Sequence, residues 1–214
     1  MKQKKVKMLK WGTLLTVTVL AVIISSVLIF RTFNNTKHHP ENIPSDEKCL
    51  ATINGEKILK REIDLVYRQF EDSEIEYEEI LNNSIDEVLV IQKAQDFKIE
   101  VSDSEVESRI QEYKEMYPDL YNEAVDIYGV KELYKGQRNR IIYNKVKAYV
   151  MSNIIGEDIS DQTVSDFIDK YNLKTQLEDY TTAQIKSSLH SELEEYLFEN
   201  WIEDIKKEAD IVIY

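Results

Sequence analysis

A mainly α-helical domain held behind an N-terminal transmembrane helix is the fold class this sequence predicts, with a small β element pairing the domain's N- and C-terminal strands. Three features carry the prediction. They are an uncharged run from Trp11 to Phe30, helical apolar periodicity through most of the chain after Lys60, and two short β-branched segments, Leu50–Ile53 and Ile211–Tyr214.

Residues 11–30 are long enough to span a hydrocarbon core, since twenty residues at 1.5 Å rise cover roughly 30 Å. The run exceeds a signal-peptide apolar region, and no small-x-small cleavage pattern follows Phe30, so the segment is expected to stay attached. Lys2, Lys4, Lys5, Lys7 and Lys10 precede it, whereas only Arg31 and Lys37 follow closely. That asymmetry predicts a cytoplasmic tail over residues 1–10 and a C-terminal domain outside the cytoplasm. The lone cysteine, Cys49, lies too far behind the run to be a lipidation site and excludes an internal disulfide.

Residues 31–48 read as a linker: two of the three prolines, Pro40 and Pro44, fall there, beside His38 and His39. The pair lacks the spaced partners of a metal site. The net charge is −13, and because the first ten residues hold five lysines and no acid, the remainder carries −18. A surface of that sign excludes nucleic acid as a partner.

The domain, residues 49–214, opens with Leu50–Ile53, the turn dipeptide Asn54-Gly55 and Ile58, which predicts a hairpin. Ile63, Val66, Tyr67 and Phe70 mark one helix, and Leu81, Ile85, Val88, Leu89 and Gln92 a second. Ser102 and Glu105 form a capping box ahead of a helix with Val106, Ile110, Tyr113 and Tyr117 inward, ended by Pro118. A short helix then stops at Gly129, and a long one over 130–155 carries Ile142, Val146, Tyr149, Val150 and Ile154. Ser160 or Asp161 caps a helix with Val164, Phe167, Ile168 and Tyr171 inward, and the last helix shows Leu189, Leu193, Tyr196, Leu197, Trp201 and Ile205. The terminal segment Ile211–Tyr214 is too short to stand alone, and Leu50–Ile53 is its one strand-like counterpart of matching size, so the two ends of the domain are expected to pair.

Ala51-Thr52-Ile53-Asn54-Gly55-Glu56-Lys57-Ile58 ahead of a helix resembles the opening "v-x-V-N-G-x-x-I" of the SurA/PrsA-type extracytoplasmic foldases. Gln92-Lys93-Ala94, Phe97-Lys98-Ile99 and Val101-Ser102-Asp103, then Glu105-Val106, are similar to their "A-x-x-x-g-i-x-V-S-d-x-E-V". Trp201 to Ile211 resembles their closing "W-l-x-x-l-r-x-x-A-x-I". The resemblance covers nearly all of residues 50–214 and implies a chaperone-like domain in which both ends of the chain form one body. It departs from the family where the parvulin prolyl isomerase domain belongs, because only a short polar stretch, residues 172–183, separates the helical block from the closing helix. The resemblance implies a bacterial, Gram-positive setting.

The function expected is a membrane-anchored extracytoplasmic chaperone that binds unfolded or exported polypeptides without catalysis. The alternative is a dedicated interaction or regulatory subunit of a cell-envelope assembly. Thirteen tyrosines suit a polypeptide-binding surface, since the ring gives apolar area at low entropy cost. Met116, Tyr117, Leu120, Tyr121 and Tyr128, around Pro118, are the candidate contact patch. The acidic triplets Glu76-x-Glu78-Glu79 and Glu192-x-Glu194-Glu195 read as solvated faces, and His190 as an exposed helix residue. No catalytic triad, phosphate loop or calcium-loop pattern accompanies them, so no catalytic residue, cofactor or metal is expected. The anchor's Thr and Ser residues read as simple tethering, and a homodimer is compatible with the sequence.

Overall fold

The computed structural model describes residues 48–67, 75–156 and 159–214. The expected cytoplasmic tail, the 11–30 anchor, the linker up to residue 47 and Phe70 lie outside the described residues. Among the described residues no helix is long and apolar enough to cross a membrane.

The chain enters as β1 (Cys49–Ile53), returns as β2 (Glu56–Leu59) and runs straight into α1 (Lys60–Tyr67). Between the strands, Asn54 has φ 49° and Gly55 φ 88°, the pair of positive angles that a tight hairpin turn requires and that asparagine and glycine adopt most readily. β3 (Ile211–Ile213) lies antiparallel on the other side of β1, giving the order β2-β1-β3. Ala51 stands opposite Ile213 and Ile53 opposite Ile211, and the Tyr214 N–H donates to the Leu50 carbonyl at 2.9 Å. The two ends of the domain do pair.

α2 (Tyr77–Asp96) covers the sheet and buries Ile80, Leu81, Ile85, Leu89, Val90 and Ala94. Its end is a reversed turn in which the Ile99 N–H donates to the Ala94 carbonyl at 2.8 Å, with Lys98 at φ 55°. Lys98 occupies the place where the family pattern carries glycine, so a side chain is held in the left-handed region at a cost. Lys98→Gly is therefore expected to raise stability by about 0.5–1 kcal/mol in urea unfolding. A loss of stability would show that the Lys98 stem packs more than its backbone strains.

α3 (Asp103–Met116) opens on the capping box: the Ser102 side chain accepts from the Glu105 N–H, and the Glu105 carboxylate accepts from the Ser102 N–H at 2.9 Å. α4 (Pro118–Val150) begins with the proline that needs no N–H partner and packs back along α3. It is broken at Gly129, whose φ of 78° and ψ of 156° no helix accommodates, so the expected division there holds. A π-helical turn, Met151–Ile155, closes it.

Two expected inward stripes are corrected. Tyr117 leaves the helical path at φ −140°, so the periodicity of α3 stops short of it and the ring is 49% exposed. Val146 and Val150 are buried as expected, but Tyr149 and Ile154 are exposed; Tyr149 lies on the ring of Phe97, and the wider turn after Val150 carries Ile154 off the buried face.

α5 (Asp161–Lys170), capped by Ser160, is followed by α6 (Lys174–Leu177), α7 (Thr182–Ser188) and α8 (His190–Glu208). The stretch read as a polar connector is folded: Leu173 and Leu177 are buried with Val164, Phe167, Ile185 and Leu189 in a core of their own. α8 joins every part of the interior. Leu193 and Tyr196 belong to that core, Phe198 and Ile202 to a second with α2 and α4, and Ile205 to a third beneath the sheet. Phe198 and Ile202 were not expected inside, whereas the expected Leu197 and Trp201 are half-buried, because α8 is packed from several sides and a single stripe does not describe it.

Candidate polypeptide-binding site

The candidate patch lies on the hairpin formed by α3 and α4, near the end where the two helices meet. Its base is pinned by charge. The Arg138 guanidinium pairs with the Asp103 carboxylate and donates to the Val101 carbonyl at 2.7 Å, while the Lys145 ammonium lies 2.5 Å from Glu105 and 3.0 Å from the Glu100 carbonyl. Lys145 and the Ser102 hydrogen bonds pull the Glu105 carboxyl down to about 2. This pair contributes stability above the ordinary glutamate range and loses it only as pH falls toward about 2.

At the far end, Tyr113 is buried, and Tyr117 and Tyr121 gather around it with ring centres 5.8 and 6.3 Å away. The Lys114 ammonium sits 5.4 Å from the Tyr121 ring centre. Met116 is 59% exposed, and Leu120 and Tyr121 are half-buried. The structure thus brings together Met116, Tyr117, Leu120 and Tyr121 at the tip. Tyr128 stands about 15 Å further along α4, beside the break. Sequence reasoning missed two residues there: Ile127, 39% exposed, and Val130, 59% exposed. Their residue types suit a core, and both stand exposed, one on each side of the break at Gly129.

The other singled-out residues lie elsewhere. His190, on the first turn of α8, is exposed with Nε2 3.4 Å from Glu194. The Cys49 thiol is half-buried and donates to the Ala51 carbonyl at 3.2 Å. Glu76 and Glu78 are solvated, but Glu195 is not: it faces inward and pairs with Lys147, whose ammonium lies 5.2 Å from the Phe198 ring centre. Among the described residues no group of three or more His, Cys, Asp or Glu is placed to hold a metal ion.

The three blocks of the family-like pattern meet at one side chain. The Asn54 amide donates to the Gln92 side chain at 2.8 Å, its oxygen accepts from the Asp210 N–H at 2.9 Å, and its own N–H donates to the Asp210 carbonyl at 2.8 Å. Gln92 donates in turn to the Ile53 carbonyl at 3.1 Å. Asn54 thus ties the hairpin turn to α2 and to β3. Residues 3–126, more than half the chain, match the SurA-like N-terminal domain. The chain belongs to that family. SurA N-terminal domains are chaperone-like and bind polypeptides.

The matched span of the SurA-like N-terminal domain contains Asn54, Gln92, the capping box and the hairpin tip, and stops short of Tyr128 and of the closing block. α8 and β3 nonetheless complete its sheet and core. No parvulin domain is matched, and between Ile159 and Tyr196 the described residues form helices and turns only. No curated protein and no solved structure matches the chain. Asn54→Ala is expected to cost about 2 kcal/mol in urea unfolding, from the lost side-chain bonds and the left-handed backbone. A loss below about 0.5 kcal/mol would leave this junction without structural weight.

Proposed function

We propose that this protein is a membrane-anchored extracytoplasmic chaperone that holds unfolded or exported polypeptides along the α3–α4 hairpin, from its tip to the break at Gly129, without catalysing a reaction on them. The observation that carries the reading is the exposed apolar surface of Met116, Tyr117, Ile127 and Val130 on a strongly acidic domain of a polypeptide-binding family. Exposed apolar area of this kind gains free energy by leaving water against an unfolded segment, while the surrounding charge keeps the pair soluble. Residues 11–30, with the lysines before them, support the anchor and its orientation.

The full-length protein in mild detergent is expected to suppress aggregation of several unrelated unfolded proteins and to leave prolyl isomerisation of a tetrapeptide at its uncatalysed rate. Met116→Ser with Val130→Ser is expected to weaken client binding about tenfold, with the circular dichroism and melting temperature retained. Failure to suppress any client would favour a dedicated subunit of an envelope assembly. Accelerated isomerisation would overturn the non-catalytic reading. Protease added to intact cells is expected to digest the domain; protection of the domain would reverse the proposed topology.

A further inference from the structure

The hairpin carries a charge pattern that bears on what it binds. Between Glu112 and Glu132 the sequence holds six acids and two bases. Each exposed apolar residue there has a carboxylate a few positions away in sequence. Glu112 and Glu115 both precede Met116, Asp119 lies between Tyr117 and Leu120, Asp126 adjoins Ile127, and Glu132 follows Val130 beyond the break at Gly129. Glu112 pairs with Arg109 at 3.5 Å and Glu115 accepts from the Gln111 side chain at 2.7 Å, whereas Asp119, Asp126 and Glu132 are exposed with no ion-pair partner among the described residues. Of the two bases, Lys114 is occupied over the Tyr121 ring.

An apolar surface set among unpaired carboxylates discriminates between ligands of equal hydrophobicity. A segment with acidic flanks would bring like charges within a few ångströms of Asp119 and Asp126, where repulsion opposes docking. A segment with basic flanks would complete ion pairs that the fold itself leaves open. We infer that the preferred occupant of this hairpin is an unfolded polypeptide segment whose apolar core is flanked by lysine or arginine. The inference rests on the binding surface proposed above and adds the chemistry of its ligand.

The test uses the full-length protein in a neutral detergent and three labelled peptides with the same apolar core, flanked by Lys-Lys, Gly-Ser or Glu-Glu, with affinity read by fluorescence anisotropy. The lysine-flanked peptide is expected to bind roughly 5- to 10-fold tighter than the glutamate-flanked one at low salt, with the gap narrowing at high salt. Asp119→Lys with Asp126→Lys is expected to abolish or invert that order and leave the Gly-Ser peptide's affinity within about twofold. Glu178→Lys with Asp179→Lys, the same change of net charge at exposed positions in the turn after α6, is expected to keep the order.

Equal affinities for all three peptides, weakened together by Met116→Ser with Val130→Ser, would overturn the charge preference and leave the surface standing. Loss of the order in the distant variant as well would assign it to net charge and overturn the local inference. No binding of any peptide would overturn the surface itself, and this inference with it.

Discussion

Phe198→Ala is expected to lower the unfolding free energy by about 3–5 kcal/mol. The ring is fully buried, stacks on Trp201 with centres 5.4 Å apart, meets Tyr143 edge-on at 5.8 Å, and is capped by the Lys147 ammonium. Truncation removes the transfer free energy of the ring and leaves a cavity walled by Val90, Val146, Val150 and Ile202. Those walls belong to three helices, each fixed by other contacts, so the site cannot collapse to fill the space. Because α8 continues from this core into the other two, the loss should register as one cooperative transition at lower urea, not as fraying of one end. Phe198→Leu, which keeps most of the volume, should cost about 1 kcal/mol and remains measurable if the alanine variant does not fold. A deficit below about 1 kcal/mol for Phe198→Ala would contradict the packing of α8 at the centre of the domain.

The second large effect concerns the ion pair that clips α2 to α8. The Lys206 ammonium lies 2.6 Å from Asp86 and 3.0 Å from Glu203. The partners do not mirror one another. Burial raises the Asp86 carboxyl above its ordinary value, and the attraction of Lys206 does not fully offset it, because Glu203 and Glu199 also bear on it. For Lys206, burial works against the cation, but its bonds to Asp86 and Glu203 outweigh that and hold its pKa above normal.

Removing the base is therefore worse than removing the acid. Lys206→Met leaves a largely buried carboxylate without its counter-charge and is expected to cost about 3 kcal/mol at pH 7. Asp86→Asn leaves Lys206 with Glu203 and is expected to cost less than about 1 kcal/mol. The pH dependence follows from the signs. A carboxyl whose folded pKa is raised contributes stability below its unfolded pKa and loses it as pH rises through the folded value, so the Lys206→Met deficit should shrink toward pH 4 as Asp86 takes up a proton. The raised Lys206 contributes stability that the wild type keeps below the ordinary lysine pKa and loses as pH rises through the folded one, in the alkaline range. Equal deficits for the two variants, flat across pH, would show that Asp86 is solvated like a surface acid.

Four of the five residues singled out around Pro118 were legible as a cluster because Met116, Tyr117, Leu120 and Tyr121 fall where one helix stops and the next begins; Tyr128 stands apart beside the break. Their degree of exposure was not legible. Tyr113 and Tyr117 share one helical stripe in sequence, yet one is buried and the other open, since the backbone turns out of α3 between them. Ile127 and Val130, one on each side of the break at Gly129, escaped because residue type does not report exposure.

What the sequence determined by itself is local, or forced by the lack of an alternative. The Asn54-Gly55 turn, the Ser102–Glu105 box, the Ser160 cap and the stop at Gly129 depend on backbone groups a few residues apart, and chain chemistry decides them wherever the segment lies. The pairing of β1 with β3 was legible for a different reason, since each short strand had one counterpart. Only the tertiary structure decided that Phe198 and Ile202 are core, that residues 172–183 carry buried leucines, that Glu195 points inward to Lys147, and that Asn54, Gln92 and Asp210 share one junction. Each of these is set by which distant elements press on a segment and from how many sides, and a periodicity that describes one buried face does not contain that information.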